Sequence, residues 1–186
     1  MIYIELPDLL KVQKRLRGIP GASKWALMKT LNDVAVSGKQ AAVDDIFARY
    51  YFETQSPIRS GIKTTQARAD HLFAVIHITG KRFPVQSFLP TRTEPGVEIM
   101  EVRGQRASIS HVFMATMRYG ANVFARTGNK ERPFVRSIMG LSIANMAREE
   151  TKVLPDIEAR IKEQLSKRAA FWMSEVLAGR MSKYGG

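Results

Sequence analysis

From Ala22 to Tyr51 the apolar residues Leu27, Leu31, Val34, Ala35, Ala42, Ile46 and Tyr50 recur near helical spacing, while Lys24, Asn32, Lys39 and Arg49 fall mostly elsewhere. Thirty residues at the α-helical rise would make a rod roughly 45 Å long. That is long for a chain of 186 residues, so the other elements have to be arranged along it. Small residues at its middle, Ala35, Gly38, Ala41 and Ala42, predict that something packs closely against the backbone there.

A shorter amphipathic helix is expected over residues 8–17, broken by the "GIPG" of residues 18–21. In "ETQSPIRSGI" (residues 53–62) Pro57 and Gly61 prevent simple helix continuation. Runs rich in β-branched and aromatic residues then predict strands at 62–68, 72–79, 97–102, 112–117 and 122–126, with a sixth at 134–139. Both faces of 72–79 are fairly apolar, which predicts a central strand covered on both sides. The proline-bearing stretch from Gly80 to Glu98 reads as an extended excursion or loop outside the sheet. After Gly140 the pattern turns helical, with Ser142 as the expected N-cap and Pro155 tolerated in a first turn. Ile157, Ile161, Leu165, Ala169, Trp172 and Val176 then form one apolar stripe down to Gly179. Helices, strands, then helices give an α+β class: an antiparallel sheet packed by a long N-terminal helix and a C-terminal helix. We expect one domain, helical over 1–52 and 142–179, with strands and loops over 59–140.

Composition narrows the function classes. With 45% hydrophobic residues the chain can build a core. It has no cysteine, so disulfides and thiolate metal sites are excluded. Glu5 and Asp8 precede the first basic residues, which predicts no secretory leader, and no run approaches the roughly 20 apolar residues that span a bilayer. The expectation is a soluble protein made in the cytoplasm without a membrane partner. Net charge is +12, and it is uneven. Residues 59–147 hold 13 basic and 5 acidic side chains, whereas residues 1–58 and 148–186 each hold 8 and 6. A surplus of that kind attracts polyanions and releases counterions from phosphates.

Reactive chemistry is sparse. His71, His77 and His111 lie in or beside predicted strands and read as structural. Glu94, Glu98 and Glu101 lie close together, but only Glu94 and Glu98 share strand parity, and Glu150–Thr151–Lys152, the acidic-x-lysine triplet, falls on a predicted helix. No nucleophile elbow or phosphate-binding loop signature occurs. "RYGANVF" (residues 118–124) has the wrong order for an RNA-recognition strand, and Phe113, Tyr119 and Phe124 read as core residues. No catalytic, metal-binding or cofactor-binding residue, and no cofactor, is expected.

The most ordered stretch is "VFARTGNKERPFVRSIMGLSIANM" (residues 123–146), with "SHVFMATMRYG" before it. Val123–Arg126 and Phe134–Met139 can pair across "TGNKER", where Gly128 and Asn129 accept positive φ and Pro133 can begin the second strand. The hairpin would run directly into a capped helix and present Arg126, Lys130, Arg132 and Arg136 near one edge. This stretch resembles the phage minor tail protein Z family of tail-completion proteins. The pattern is carried by Phe113, Ala115, Met117 and Gly120, by Val123, Phe124, Arg126 and Gly128, by Arg132 and Pro133, and by Gly140, Ser142, Ile143 and Met146. An N-terminal basic helix followed by an Ala-rich helix with Asn32 also resembles the family. Phe134 stands where a smaller aliphatic residue is usual and Leu141 where proline is.

The resemblance implies a non-enzymatic structural virion protein that completes the head-proximal end of a tail and takes part in head–tail joining. Its expected partners are copies of itself in a hexameric ring, other neck and tail proteins, and double-stranded DNA that passes without being read. Its expected place is the virion neck, after assembly in the host cytoplasm. Arg118, Arg126, Lys130, Arg132 and Arg136 are the candidate channel or interface cations. Gly120, Phe124, Gly128, Pro133, Gly140, Ser142 and Met146 are the candidate structural residues of the motif. The alternative is a stand-alone basic nucleic-acid-binding protein, and a third reading is a hydrolase or nuclease resting on Glu98 or Glu101.

Overall fold

The structure, a computed structural model, describes residues 2–3, 21–118, 120–127, 134–149 and 152–180. The helix expected over 8–17, Tyr119, the turn residues Gly128 and Asn129, and Lys130, Arg132 and Pro133 lie outside the described residues.

The long helix forms as its periodicity predicts. Helix α1 spans Ala22–Arg49, 28 residues. Strands lie against one side of it and the C-terminal helix α4 (Val153–Leu177) along another, while Val36 and Gln40 at its middle stay exposed. The small residues mark where both approach. A Cβ on Gly38 would sit 2.9 Å from Ile76 Cδ1 and 3.0 Å from Ile161 Cγ1, so two elements converge on one missing side chain. Every member of the predicted α4 stripe is buried. Each such aliphatic side chain contributes about 1.5–3 kcal/mol by leaving water. Polar contacts fix the rotation of the pair: Trp172 Nε1 donates to Asp33 Oδ2 at 2.9 Å, Arg160 pairs with Asp45 at 2.9 Å, and Trp25 meets Trp172 edge-to-face at 5.3 Å.

The C-terminal end of α1 leaves carbonyls without helical partners. Arg103 answers that need: its Nε donates to the Phe47 carbonyl at 2.8 Å, and its guanidinium lies over the Phe47 and Tyr51 rings. Midway along α1, Asn32 takes both main-chain groups of Ala67, accepting from its N–H at 2.7 Å and donating to its carbonyl at 3.2 Å.

Among the described residues the strand pairs are all antiparallel and fall into four small sheets. After the short helix α2 (Ser56–Gly61), with Pro57 in its first turn, β2 (Ile62–Thr65) and β1 (Ile2–Tyr3) flank β3 (Val75–Ile78). The expected two-sided burial of the 72–79 strand needs correction. β3 is central, and Ala74, Val75 and Ile76 are buried, but Phe73 and His77 are exposed. Val75 shares the face of Phe73 and His77 and is buried, so that face is covered only in part. Residues 80–98 are also more structured than expected. They form β4 (Arg82–Pro84), a 3₁₀ turn (Val85–Phe88), β5 (Thr91–Arg92) and the start of β6 (Gly96–Ile99). Val85 and Phe88, three apart on one side of that turn, drop fully into the core, which outweighs the local cost of the prolines.

β6 pairs with β7 (Ala107–Ser110), and a corner at His111 with φ of 60° leads into β8 (Val112–Met117). The next sheet has the order β10–β9–β8, built from β9 (Gly120–Thr127) and β10 (Phe134–Ser137). β11 (Met139–Ser142) crosses to pair with β4 and runs straight into α3 (Ile143–Ala147). Among the described residues no helix is long and apolar enough to cross a membrane.

Candidate functional site

The stretch that carries the family resemblance is a strand run feeding a capped helix. Ser142 has extended backbone, and its hydroxyl accepts from the Asn145 N–H at 3.2 Å, the N-cap geometry its position predicted. Gly140 stands where a Cβ would run into the Phe88 ring, 2.6 Å from its Cε2 and against the Glu101 carboxylate. That carboxylate accepts from the Leu141 N–H at 3.0 Å. Gly120 closes the β8–β9 turn with φ of 102°. Met146 is fully buried and Phe124 nearly so. These motif residues shape the chain and leave no side-chain chemistry exposed. Gly128 and Pro133 lie outside the described residues.

β10 pairs with β9 as expected, Phe134 opposite Thr127 through Ser137 opposite Phe124. The register separates the basic candidates. Arg126 lies opposite Val135, on the face that carries Phe113 and Phe124, and its guanidinium rests over the Phe113 ring at 5.2 Å. Arg136 lies opposite Ala125 and so belongs to the other face. Arg118 occupies the turn at the far end of β9, and six residues of strand put it roughly 20 Å from Arg126. Arg118, Arg126 and Arg136 are all exposed, but they do not form one patch. Lys130 and Arg132 lie outside the described residues.

Charge divides between the two halves of the molecule. On the helices acids and bases meet: Arg49 with Glu149, Arg160 with Asp45, Arg168 with Asp33, Lys167 with Glu163 and Arg180 with Glu175. A concavity of about 970 Å³ between α1 and α4 is lined by both signs, Asp33, Asp44 and Glu163 beside Lys39, Arg160 and Arg168. Burial pushes the Asp45 carboxyl upward, Arg160 draws it back, and Asp156 and Asp44 push the same way as burial. Tyr50 is pushed up to about 12 by burial, by the charge of Glu149, and by the hydrogen bond its hydroxyl donates to Glu149 at 3.2 Å. The strands carry fewer acids. Arg106 lies 3.8 Å from Glu98, Arg92 donates to the Met114 carbonyl, and Arg103 serves the end of α1.

Sequence reading missed a concave group of cations with no acidic residue in its lining, Lys63, Lys81 and Arg82, beside His77. Lys63 lies 18 residues before the adjacent Lys81 and Arg82, with no shared motif, and the one available signal was the charge surplus of residues 59–147. Among the described residues no three His, Asp or Glu side chains come together as a metal site. His71, His77 and His111 are all exposed, and His77 shares a 2.8 Å hydrogen bond with Thr65.

The fold and its charge define a basic α+β protein, self-neutral on its helices and positive on its strands. Comparison with protein-family models, with curated proteins and with solved structures found no match.

Proposed function

We propose that this protein is a structural virion subunit that completes the head-proximal end of a phage tail and joins it to the head, as one member of a hexameric ring around the DNA. One observation carries the reading: the helices neutralise each other's charge while Lys63, Lys81 and Arg82 on the strand side have no acidic partner among the described residues. A subunit that packs laterally on neutral, interleaved helices and turns its positive strands toward a passing polyanion would have this division. DNA is then held by charge without being read. The edge strand β10 offers main-chain groups to a neighbouring copy or another neck protein. Gly140 and the Ser142 cap fix how the chain enters α3.

Light scattering on a sizing column, with negative-stain imaging, tests this reading on the full chain alone and mixed with neck proteins. Ring particles with an axial hole are expected. A strict monomer under both conditions would remove the reading. The same charge division suits the alternative, a free nucleic-acid-binding module. That alternative requires the monomer itself to bind duplex at submicromolar concentration, with a steep salt slope.

A further inference from the structure

The concavity that holds Lys63, Lys81 and Arg82 has a volume of about 600 Å³, within the range of small-ligand sites. Its frame is fixed by main-chain bonds: the Thr79 N–H donates to the Gly61 carbonyl at 2.9 Å, and the Ala144 N–H donates to the Thr79 carbonyl at 3.2 Å. Lys63 on β2 lies directly opposite His77 on β3, which puts their Cβ atoms about 5 Å apart. Lys81 and Arg82 enter from the start of β4, and the hydroxyls of Ser60 and Thr79 complete the polar wall. No acidic residue lines the concavity, and the side chains of Lys63, Lys81 and Arg82 have no hydrogen-bond or ion-pair partner among the described residues. Ile78, Phe83, Pro84 and Ile143 are the apolar residues of its lining.

Gathering like charges in a concave surface costs energy unless an anion sits among them. Elsewhere in this molecule Arg160 and Arg168 meet carboxylates and Arg103 a main-chain carbonyl. A lining that holds both cations and apolar side chains suits a ligand with an anionic end and a flat, less polar body. We propose that this concavity binds one nucleotide unit, with its phosphate among Lys63, Lys81 and Arg82 and its sugar and base against Phe83 and Pro84. The site is separate from the β8–β10 hairpin and does not depend on ring assembly. A phosphate of this kind comes either from a DNA backbone or from a free nucleotide.

The test uses fluorescence anisotropy and amide NMR on the full chain, with a labelled duplex, deoxyadenosine monophosphate and inorganic phosphate as separate probes. The triple variant Lys63→Gln, Lys81→Gln, Arg82→Gln is compared with a control of equal charge change, Lys24→Gln, Arg148→Gln, Lys162→Gln. All six residues are solvent-exposed at their side chains or nearly so, so both variants should keep the wild-type circular dichroism. The pocket triple should weaken mononucleotide binding at least tenfold, while the control changes it less than about twofold; residues 77–83 should shift on titration of the wild type. If the backbone is the source, the duplex salt slope falls by about 1 to 3 in the pocket triple alone. If duplex binding changes equally in both variants while mononucleotide binding is lost only in the pocket triple, the source is the free nucleotide. Equal losses of mononucleotide in both triples, no binding of any probe, or inorganic phosphate binding as tightly as the nucleotide would overturn the proposal.

Discussion

Tyr50 shows how much one buried hydroxyl can decide. It lies at the end of α1, donates to Glu149 and is 6% exposed, with its pKa raised to about 12 by burial and by that carboxylate. In the unfolded chain the phenol titrates near 10. The folded state therefore holds its proton more tightly, and the contribution is fully present below about pH 10 and lost as pH rises toward about 12. Its size is on the order of 2 kcal/mol. Urea midpoints measured across that window should fall for the wild type more steeply than for Tyr50→Phe, which has no proton to lose there. Parallel slopes for the two proteins would show that the hydroxyl is not held as described. Little of this was visible in the sequence. Tyr50 could be placed on the apolar face of α1, but Glu149 is 99 residues away along the chain and nothing local names it as the partner. The same limit applies to Asn32 and Ala67, Arg103 and Phe47, and Lys63 and Lys81. Each is a meeting of distant segments, which periodicity cannot see.

Helices and paired strands were far more legible, because their signal is local. The boundaries of α1 and β8, the Ser142 cap and the apolar stripe of α4 all follow from spacing and turn chemistry. Residues 80–98 did not, since their structure depends on Phe88 finding the core, and prolines alone argue for a loop. Gly38 was read as a point of close approach, and it is one, with β3 and α4 both seated on it. Gly38→Leu should therefore cost about 1–3 kcal/mol despite leucine's better helix propensity. Thermal denaturation of the variant should show the loss directly. An unchanged midpoint would mean that α4 can stand off from α1.

At the scale of the whole molecule, α1 supplies residues to every one of the three core clusters. Trp25 and Trp172 sit in one cluster, while the strands from β2 to β11 close over another. Unfolding should accordingly be a single cooperative event. Tryptophan fluorescence, reporting the helix pair, and far-ultraviolet circular dichroism should give the same melting midpoint. Separate midpoints would show the strand half to be an independent unit. Charge division is also a whole-molecule property: the surplus of residues 59–147 was readable in the sequence, but not that the helices would cancel their own charge. The grip of Asn32 on Ala67 has a further consequence, because a side-chain amide that clasps a peptide unit is indifferent to which amino acid that unit belongs to. The segment between β2 and β3 is thus free to change its outward wording, and so whatever it meets, while its anchorage to the central rod stays as it is.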